Sequence, residues 1–281
     1  MSHGLLAPAG DRRYLRPMND TNGATRQGER DVFFGDRLVG EGQKAPLVRD
    51  VFRSVAGRYD LMNDLMSAGV HRLWKSAMVE ALHLQPGQRI LDVAGGTGDI
   101  AFRVIEKVKR QACGWCGDPA IIVCDLTPEM LSVGRDRAID KGILTGLAWI
   151  CGDAERLPLP DRSVDAYSIA FGLRNVTRIE AALAEAYRVL RPGGQFLCLE
   201  FSQVALPFLD DLYQRYSTSV LPILGGLVAG DREAYSYLIE SIRRFPPQED
   251  LLGRIATAGF ERVRYRNLSS GIAALHSAWR L

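Results

Sequence analysis

Short apolar runs alternate with helical periodicity through the middle of the chain. Ile90–Val93, Ile121–Asp125, Leu147–Cys151, Asp165–Phe171 and Gln195–Phe201 read as buried strands. Between the first two, Ala101, Val104, Ile105 and Val108 have i, i+3, i+4, i+7 spacing and form one helical face. After the second, Thr127 stands as an N-cap with Pro128 at the first helical position. Thr177-Arg178-Ile179-Glu180 reads as a capping box opening a helix through Leu183, Ala186, Val189 and Leu190. Arg191-Pro192-Gly193-Gly194 ends that helix. A last helix, Leu251–Ala258, leads to two closing strands at about 261–267 and 271–280, for seven in all. This alternation predicts an α/β fold with a doubly wound, mostly parallel seven-stranded sheet.

Two regions depart from that rhythm. Upstream, Val48, Val51, Phe52, Val55 and Tyr59 share a helical face, and a second helix covers Leu73–Leu82, with Trp74 expected in the core. This N-terminal helical pair reads either as cover for the sheet or as a lid over a ligand. Downstream, residues 203–250 are too long for a plain connection. Leu209, Leu212, Tyr213 and Tyr216 share a face, Leu221–Ala229 is apolar and kinked, and Tyr235–Ile242 is helical. Such a helical insertion caps a large apolar substrate or pairs with another subunit. Residues 1–43 show no sustained periodicity and read as a disordered extension, which leaves 44–281 as one domain.

Composition narrows the class without naming a ligand. With 281 residues, 47% hydrophobic and 24% charged, the chain is ordinary globular material. A net charge of +2, with no basic run interleaved with aromatics, disfavours a nucleic-acid partner. No apolar stretch reaches the ~18 residues of a membrane-spanning helix. Cys124, Cys151 and Cys198 fall in or beside strand patterns and read as small core hydrophobes. Cys113 and Cys116 form a C-x-x-C without a second pair, a weak metal signal because structural zinc takes four ligands. No metal site is expected.

The chemistry sits at Ile90-Leu91-Asp92-Val93-Ala94-Gly95-Gly96-Thr97-Gly98-Asp99. Strand, glycine turn and helix form the unit that holds a nucleotide-like ligand at the carboxyl end of a parallel strand. A phosphate-binding loop would need Gly-Lys-Ser/Thr, and a dinucleotide fingerprint would need G-x-G-x-x-G; neither is present. Asp92 would repel a pyrophosphate and suits a ligand with hydroxyl and amino donors. S-adenosylmethionine is such a ligand; the bland reading is an ordinary tight turn. Asp125, at the end of the second strand, is placed to accept from both ribose hydroxyls. Asp153 and Ala154 follow the third strand, where a small-acid-small turn can meet the adenine amine. Arg174 and Asn175 follow the fourth, at the rim of the cleft. On position alone a structural arginine bonding loop carbonyls is as good a reading of Arg174 as a chemical role.

Longer segments carry a resemblance. VFRSVAGRYDLMNDLMSAGVHRLWK, LDVAGGTGDIAFR, CDLTPEML, GDAERLP, IAFGLRNVT, YRVLRPGGQFLCLEFS, AYSYLIESIRRFP, and the C-terminal AGF and HSAWRL are similar to the UbiE-type C-methyltransferases of ubiquinone and menaquinone biosynthesis, from about Val51 to Leu281. The resemblance implies a Rossmann-like class I fold and S-adenosylmethionine as cofactor. It implies contacts to the cofactor from Thr97, Asp125, Asp153 and Ala154, beside Asp92, Gly95, Gly96 and Gly98 of the glycine motif. It implies Arg174, Asn175 and Tyr59 on the acceptor side; the chemistry expected of Arg174 is to stabilise a developing phenolate or to pass its proton through a water. Ala170 stands where some bacterial members carry a serine used at the cofactor site. FLCLEFSQV resembles the mitochondrial branch, which methylates 2-methoxy-6-polyprenyl-1,4-benzoquinol. Expected surroundings are a lipidic quinol substrate, a peripheral membrane surface, other quinone-biosynthesis enzymes in a complex, and a homodimer as a further option. The expected location is the mitochondrial matrix at the inner membrane, with a bacterial cytoplasm as the alternative.

Overall fold

The computed structural model describes residues 30–58, 69–85, 87–110, 121–202 and 232–281, together with Asn63, Asp64 and Ser67. Seven strands form the central sheet: β3 (Ile90–Val93), β4 (Ile121–Asp125), β5 (Leu147–Cys151), β6 (Val164–Ala170), β7 (Leu190–Phe201), β8 (Glu261–Leu268) and β9 (Ala273–Arg280). Their spatial order is β5-β4-β3-β6-β7-β9-β8. The five strands from β5 to β7 run parallel, and β9 pairs antiparallel with both β7 and β8. The order reverses at β3, so its carboxyl end opens the crevice in which doubly wound sheets bind ligands.

Side chains alternate across the sheet and feed two cores. On one face Ile90, Val123, Leu197 and Leu199 pack under α2 (His71–Glu80) and α3 (Asp99–Arg110). On the other, Leu91, Val93, Ile169, Phe196 and Cys198 pack under α5 (Ile179–Val189) and α7 (Gln248–Thr257). α4 (Pro128–Asp140) follows β4, and Thr127 is its N-cap as expected. Trp74 is buried, and its ring meets Phe171 and Phe201 at the carboxyl ends of β6 and β7.

Three expectations are corrected. The boundary of the N-terminal extension moves back, because β1 (Asp31–Phe34) and β2 (Arg37–Gly40) form a hairpin and α1 (Glu41–Val55) starts at once. Gly35-Asp36, with Gly35 at φ +57°, is a two-residue hairpin turn of the kind that signals such a pair. The hairpin is pinned to α6 (Arg232–Arg244): the Asp36 N–H donates to Glu240 at 2.9 Å, and Arg244 pairs with Asp36 at 2.9 Å. The capping box at Thr177 does not form. Arg178 is the N-cap, and the N–H groups of Thr177 and Arg178 both donate to the Glu155 carboxylate instead. Cys124 and Cys198 are buried, but Cys151 is exposed, because it ends the edge strand β5.

Tyr59, most of the lid, residues 203–231 and the Cys113/Cys116 loop lie outside the described residues. Among the described residues no helix is long and apolar enough to cross a membrane, and no group of three His, Cys, Asp or Glu side chains could hold a metal.

Candidate active site

The site begins where β3 stops. Ala94 (φ +50°), Gly96 (φ +53°) and Gly98 (φ +83°) turn the backbone through the left-handed region and deliver it into α3. The Gly98 N–H closes the turn onto the Gly95 carbonyl at 2.9 Å. A Cβ on Gly95 would stand 2.6 Å from Val123 Cγ1 and 2.8 Å from Asp92 Oδ2, so the turn lies directly on the strand beneath it. Phe171, at the end of the neighbouring β6, is also left-handed (φ +57°). Non-glycine residues in this region carry strain, which collects at functional sites.

Asp92 is fully buried under this turn. Ser168 donates to its Oδ1 at 2.8 Å, while Oδ2 has no partner among the described residues. Burial pushes its carboxyl up to about 7, against the pull of the Ser168 hydrogen bond. Thr97 is buried too, and its hydroxyl accepts from Arg137 at 3.0 Å. Asp125 accepts from the Gly96 N–H at 2.9 Å and from the Thr127 N–H at 2.8 Å. These two bonds fix its carboxylate at the lip of the crevice. Burial pushes it up to about 6, with the backbone donors working in the opposite direction. Asp153 Oδ1 accepts from the Glu155 N–H at 2.9 Å, which sets the turn that presents Ala154.

After β6, residues Leu173–Asn175 form a single 3₁₀ turn. Arg174 is only 6% exposed. One of its guanidinium nitrogens donates to Glu200 Oε2 at 2.8 Å and to the Phe171 carbonyl at 2.6 Å. Its Nε–H is buried with no partner among the described residues. Glu200, on β7, also accepts from the Arg174 and Phe201 backbone N–H groups. Burial pushes the Glu200 carboxyl above its usual range, and the guanidinium beside it pulls it back. Asn175 Nδ2 faces the Phe171 carbonyl at 3.4 Å, and its Oδ1 accepts from the Tyr237 hydroxyl at 3.1 Å.

These pieces surround a cleft of about 720 Å³, its open mouth included. Gly96, Asp125, Asp153 and Ala154 line one side, and Phe171, Gly172 and Asn175 line the other. Val48 and Phe52 of α1 add an apolar wall. Asp92, Gly95, Thr97 and Gly98 shape the floor without lining the cleft, and Arg174 lines a separate hollow with Lys44 and Tyr237. The residues fit the cofactor implied above. A carboxylate braced by two backbone N–H groups stands at the lip, a buried carboxylate oxygen has no donor among the described residues, and a Cβ at Gly96 would stand 3.0 Å from Met130 Cε and 3.8 Å from Asp125 Oδ2.

Ser168, Glu155, Glu200 and Tyr237 escape the sequence reading. A lone acid inside the apolar run Phe196–Phe201 is the signal that could have flagged Glu200 as the partner of a buried cation. Nothing in the local pattern marks Tyr237, whose contact spans 62 residues.

Comparison with known proteins bears on the chemistry. The model of the ubiE/COQ5 methyltransferase family matches residues 39–280. The ubiquinone/menaquinone biosynthesis C-methyltransferase UbiE of Brucella abortus is 56% identical over 250 residues, 88% of this chain and 90% of that protein. The UbiE of Brucella anthropi is 54% identical over 257 residues, 91% of this chain and 95% of that protein. Among solved structures, a SAM-dependent methyltransferase from Thermotoga maritima matches with a TM-score of 0.56 at 21% identity, covering 83% of this chain and all of that one. The [4+2]-cyclase SpnF matches with a TM-score of 0.54 at 20% identity, over 74% of this chain and 80% of that one. Likeness at that level shows the fold alone, since one fold carries unrelated reactions.

Proposed function

Because the chain belongs to the ubiE/COQ5 methyltransferase family, and so is an S-adenosylmethionine-dependent C-methyltransferase of ubiquinone/menaquinone biosynthesis, we propose that its acceptor is the ring carbon of a polyprenyl benzoquinol, 2-methoxy-6-polyprenyl-1,4-benzoquinol. The observation that carries this reading is the joining of Gly96, Asp125, Asp153 and Ala154 with Asn175 in one cleft. The wording of the strand ending in Phe201 supports the benzoquinol side. The demethylmenaquinol acceptor is the second reading, favoured equally by the name of the Brucella relatives. A non-catalytic scaffold role within a complex has less support, because the glycine motif and Asp125 are intact.

Bound in this cleft, S-adenosylmethionine would supply a sulfonium methyl to a ring carbon ortho to a hydroxyl: the new carbon–carbon bond would form as the carbon–sulfur bond breaks, S-adenosylhomocysteine would leave, and the proton displaced from the ring carbon would pass to water. The chain's task is alignment and exclusion of water. Asp125, braced by two backbone N–H groups, holds the ribose, and the Asp153–Ala154 turn receives the adenine. Asn175 offers an amide N–H to the ring oxygen on which charge develops. Arg174, tied to Glu200 in a hollow that shares Val176 and Thr177 with the cleft, lends positive charge that favours the phenolate form. Val48, Phe52 and Phe171 keep the cleft apolar around the ring. Tyr59 is proposed as a second polar handle, and the Tyr59–Trp74 lid and the 203–245 insertion as the tail channel.

The Brucella relatives are bacterial, which favours a bacterial cytoplasm over the mitochondrial matrix, with the enzyme meeting the membrane peripherally to reach a lipidic quinol. A complex with other quinone-biosynthesis enzymes and a homodimer remain proposals of the same rank. The test is a pair of methyl-transfer assays, one on a short-tailed demethylated benzoquinol and one on a demethylnaphthoquinol, resolved by mass spectrometry. Ring methylation of the benzoquinol is expected. Methylation of the naphthoquinol alone moves the assignment to the menaquinone branch.

A further inference from the structure

We propose that Tyr237 is a positioning residue for methyl transfer: its hydroxyl holds the Asn175 amide in the one orientation that presents an N–H donor to the acceptor. This inference rests on the reading of Asn175 given above. An asparagine amide has a donor end and an acceptor end, and only its neighbours decide which faces where. At Asn175 the Phe171 carbonyl, which can only accept, selects the orientation, and the Tyr237 hydroxyl, which can donate or accept, anchors it. The Phe171 carbonyl stands 3.4 Å from one end, and a second carbonyl oxygen there would meet it with like partial charge. The Nδ2 end therefore belongs at Phe171, which leaves Oδ1 to accept from the Tyr237 hydroxyl at 3.1 Å. Nδ2 carries two hydrogens. One is directed at Phe171, and the other is left for the cleft that Asn175 lines.

Tyr237 is built to keep that role. It is 4% exposed, and burial holds its phenol well above the usual range, so it stays a donor. Its ring stacks on Phe34, with centroids 4.4 Å apart and planes at 21°. Phe34 belongs to the hairpin that Asp36 ties to Glu240 and Arg244 on the same helix as Tyr237. The hairpin and α6 thus form one clamp behind the site. An amide whose oxygen accepts a hydrogen bond is also a better donor through its nitrogen, because chained hydrogen bonds polarise one another.

Tyr237→Phe removes the hydroxyl and keeps the ring on Phe34. The Asn175 amide then loses the contact that fixes its oxygen. One hydrogen bond of this kind is a factor of about ten in rate. The experiment is a double-mutant cycle on the full chain with a short-tailed demethylated benzoquinol: wild type, Tyr237→Phe, Asn175→Ala and both together. It reads kcat, KM for the quinol, the dissociation constant for S-adenosylmethionine and the melting temperature. We expect kcat to fall about tenfold in Tyr237→Phe, cofactor affinity to stay within about twofold, and no further loss when Tyr237→Phe is added to Asn175→Ala. Equal kcat for wild type and Tyr237→Phe overturns the proposal, as does an undiminished Tyr237 effect without Asn175, or parallel loss of cofactor affinity. Wild-type enzyme that methylates neither a benzoquinol nor a naphthoquinol overturns the functional reading, and this inference with it.

Discussion

Glu200→Gln is the perturbation whose cost the structure fixes most tightly. Glu200 is 1% exposed and Arg174 is 6% exposed. The carboxylate accepts from the guanidinium at 2.8 Å and from two backbone N–H groups at 3.1 and 3.2 Å. The amide of glutamine matches the volume but loses the charge, and its NH₂ end must face either the guanidinium or a backbone N–H. An uncompensated buried charge costs about 3–5 kcal/mol. At roughly 2–4 °C per kcal/mol for a chain of this size, the melting temperature should drop by about 6–20 °C. Urea unfolding beside thermal melts gives both values, with Arg53→Ala as the control. Arg53 pairs with Glu129 at 2.8 Å, but both side chains are about half exposed, so its loss should cost under about 1 kcal/mol. Replacing the pair together, with Arg174→Met and Glu200→Met, should cost far less stability than either single change. A Glu200→Gln protein within about 1 kcal/mol of wild type would refute the buried pair.

Three further outcomes follow from the same geometry. The Asp92 carboxyl is raised from 3.8 to about 7 by burial, so the unfolded chain ionises first, and the stability present below about pH 4 is lost as pH climbs through 7. Apo Asp92→Asn should therefore gain melting temperature on wild type between pH 5 and pH 8; a constant difference across that range would count against the burial. Gly95→Ala puts a Cβ 2.6 Å from Val123 and 2.8 Å from Asp92 Oδ2, so it should cost about 1–3 kcal/mol and weaken cofactor binding by calorimetry, whereas Gly253→Ala, with nothing within 4 Å of the new Cβ, should not destabilise the chain. The enzyme should float with liposomes carrying a polyprenyl quinol, and recovery no higher than background would remove the membrane contact from the account.

The sheet was legible because its strands are short, apolar and bounded by helices with clear periodicity. β3, β4 and β5 match the expected bounds, and β6 differs by one residue at each end. Legibility failed where a local pattern competes with a distant partner. Thr177 has the spacing of a capping box, yet Glu155, 22 residues away, takes the Thr177 N–H that the Glu180 side chain would have bonded. The Asp31–Gly40 hairpin was lost inside a long polar extension, although its Gly-Asp turn and flanking apolar residues carry a usable signal. In the site, position along the sheet brought Asp125, Asp153, Ala154 and Asn175 to one cleft, since each follows the carboxyl end of a parallel strand. Position could not say that Arg174 turns to Glu200, because that depends on which face of β7 the acid occupies.

The central claim is that one cleft holds the cofactor by Asp125 and the acceptor by Asn175. Single-turnover transfer of a labelled methyl group to the benzoquinol, with cofactor affinity measured alongside, tests it most directly in Asp125→Ala and Asn175→Ala. The account predicts a split: Asp125→Ala loses cofactor affinity by about tenfold or more, while Asn175→Ala binds the cofactor as wild type does and transfers the methyl group slowly. Equal and parallel losses of binding and transfer in both variants would contradict it.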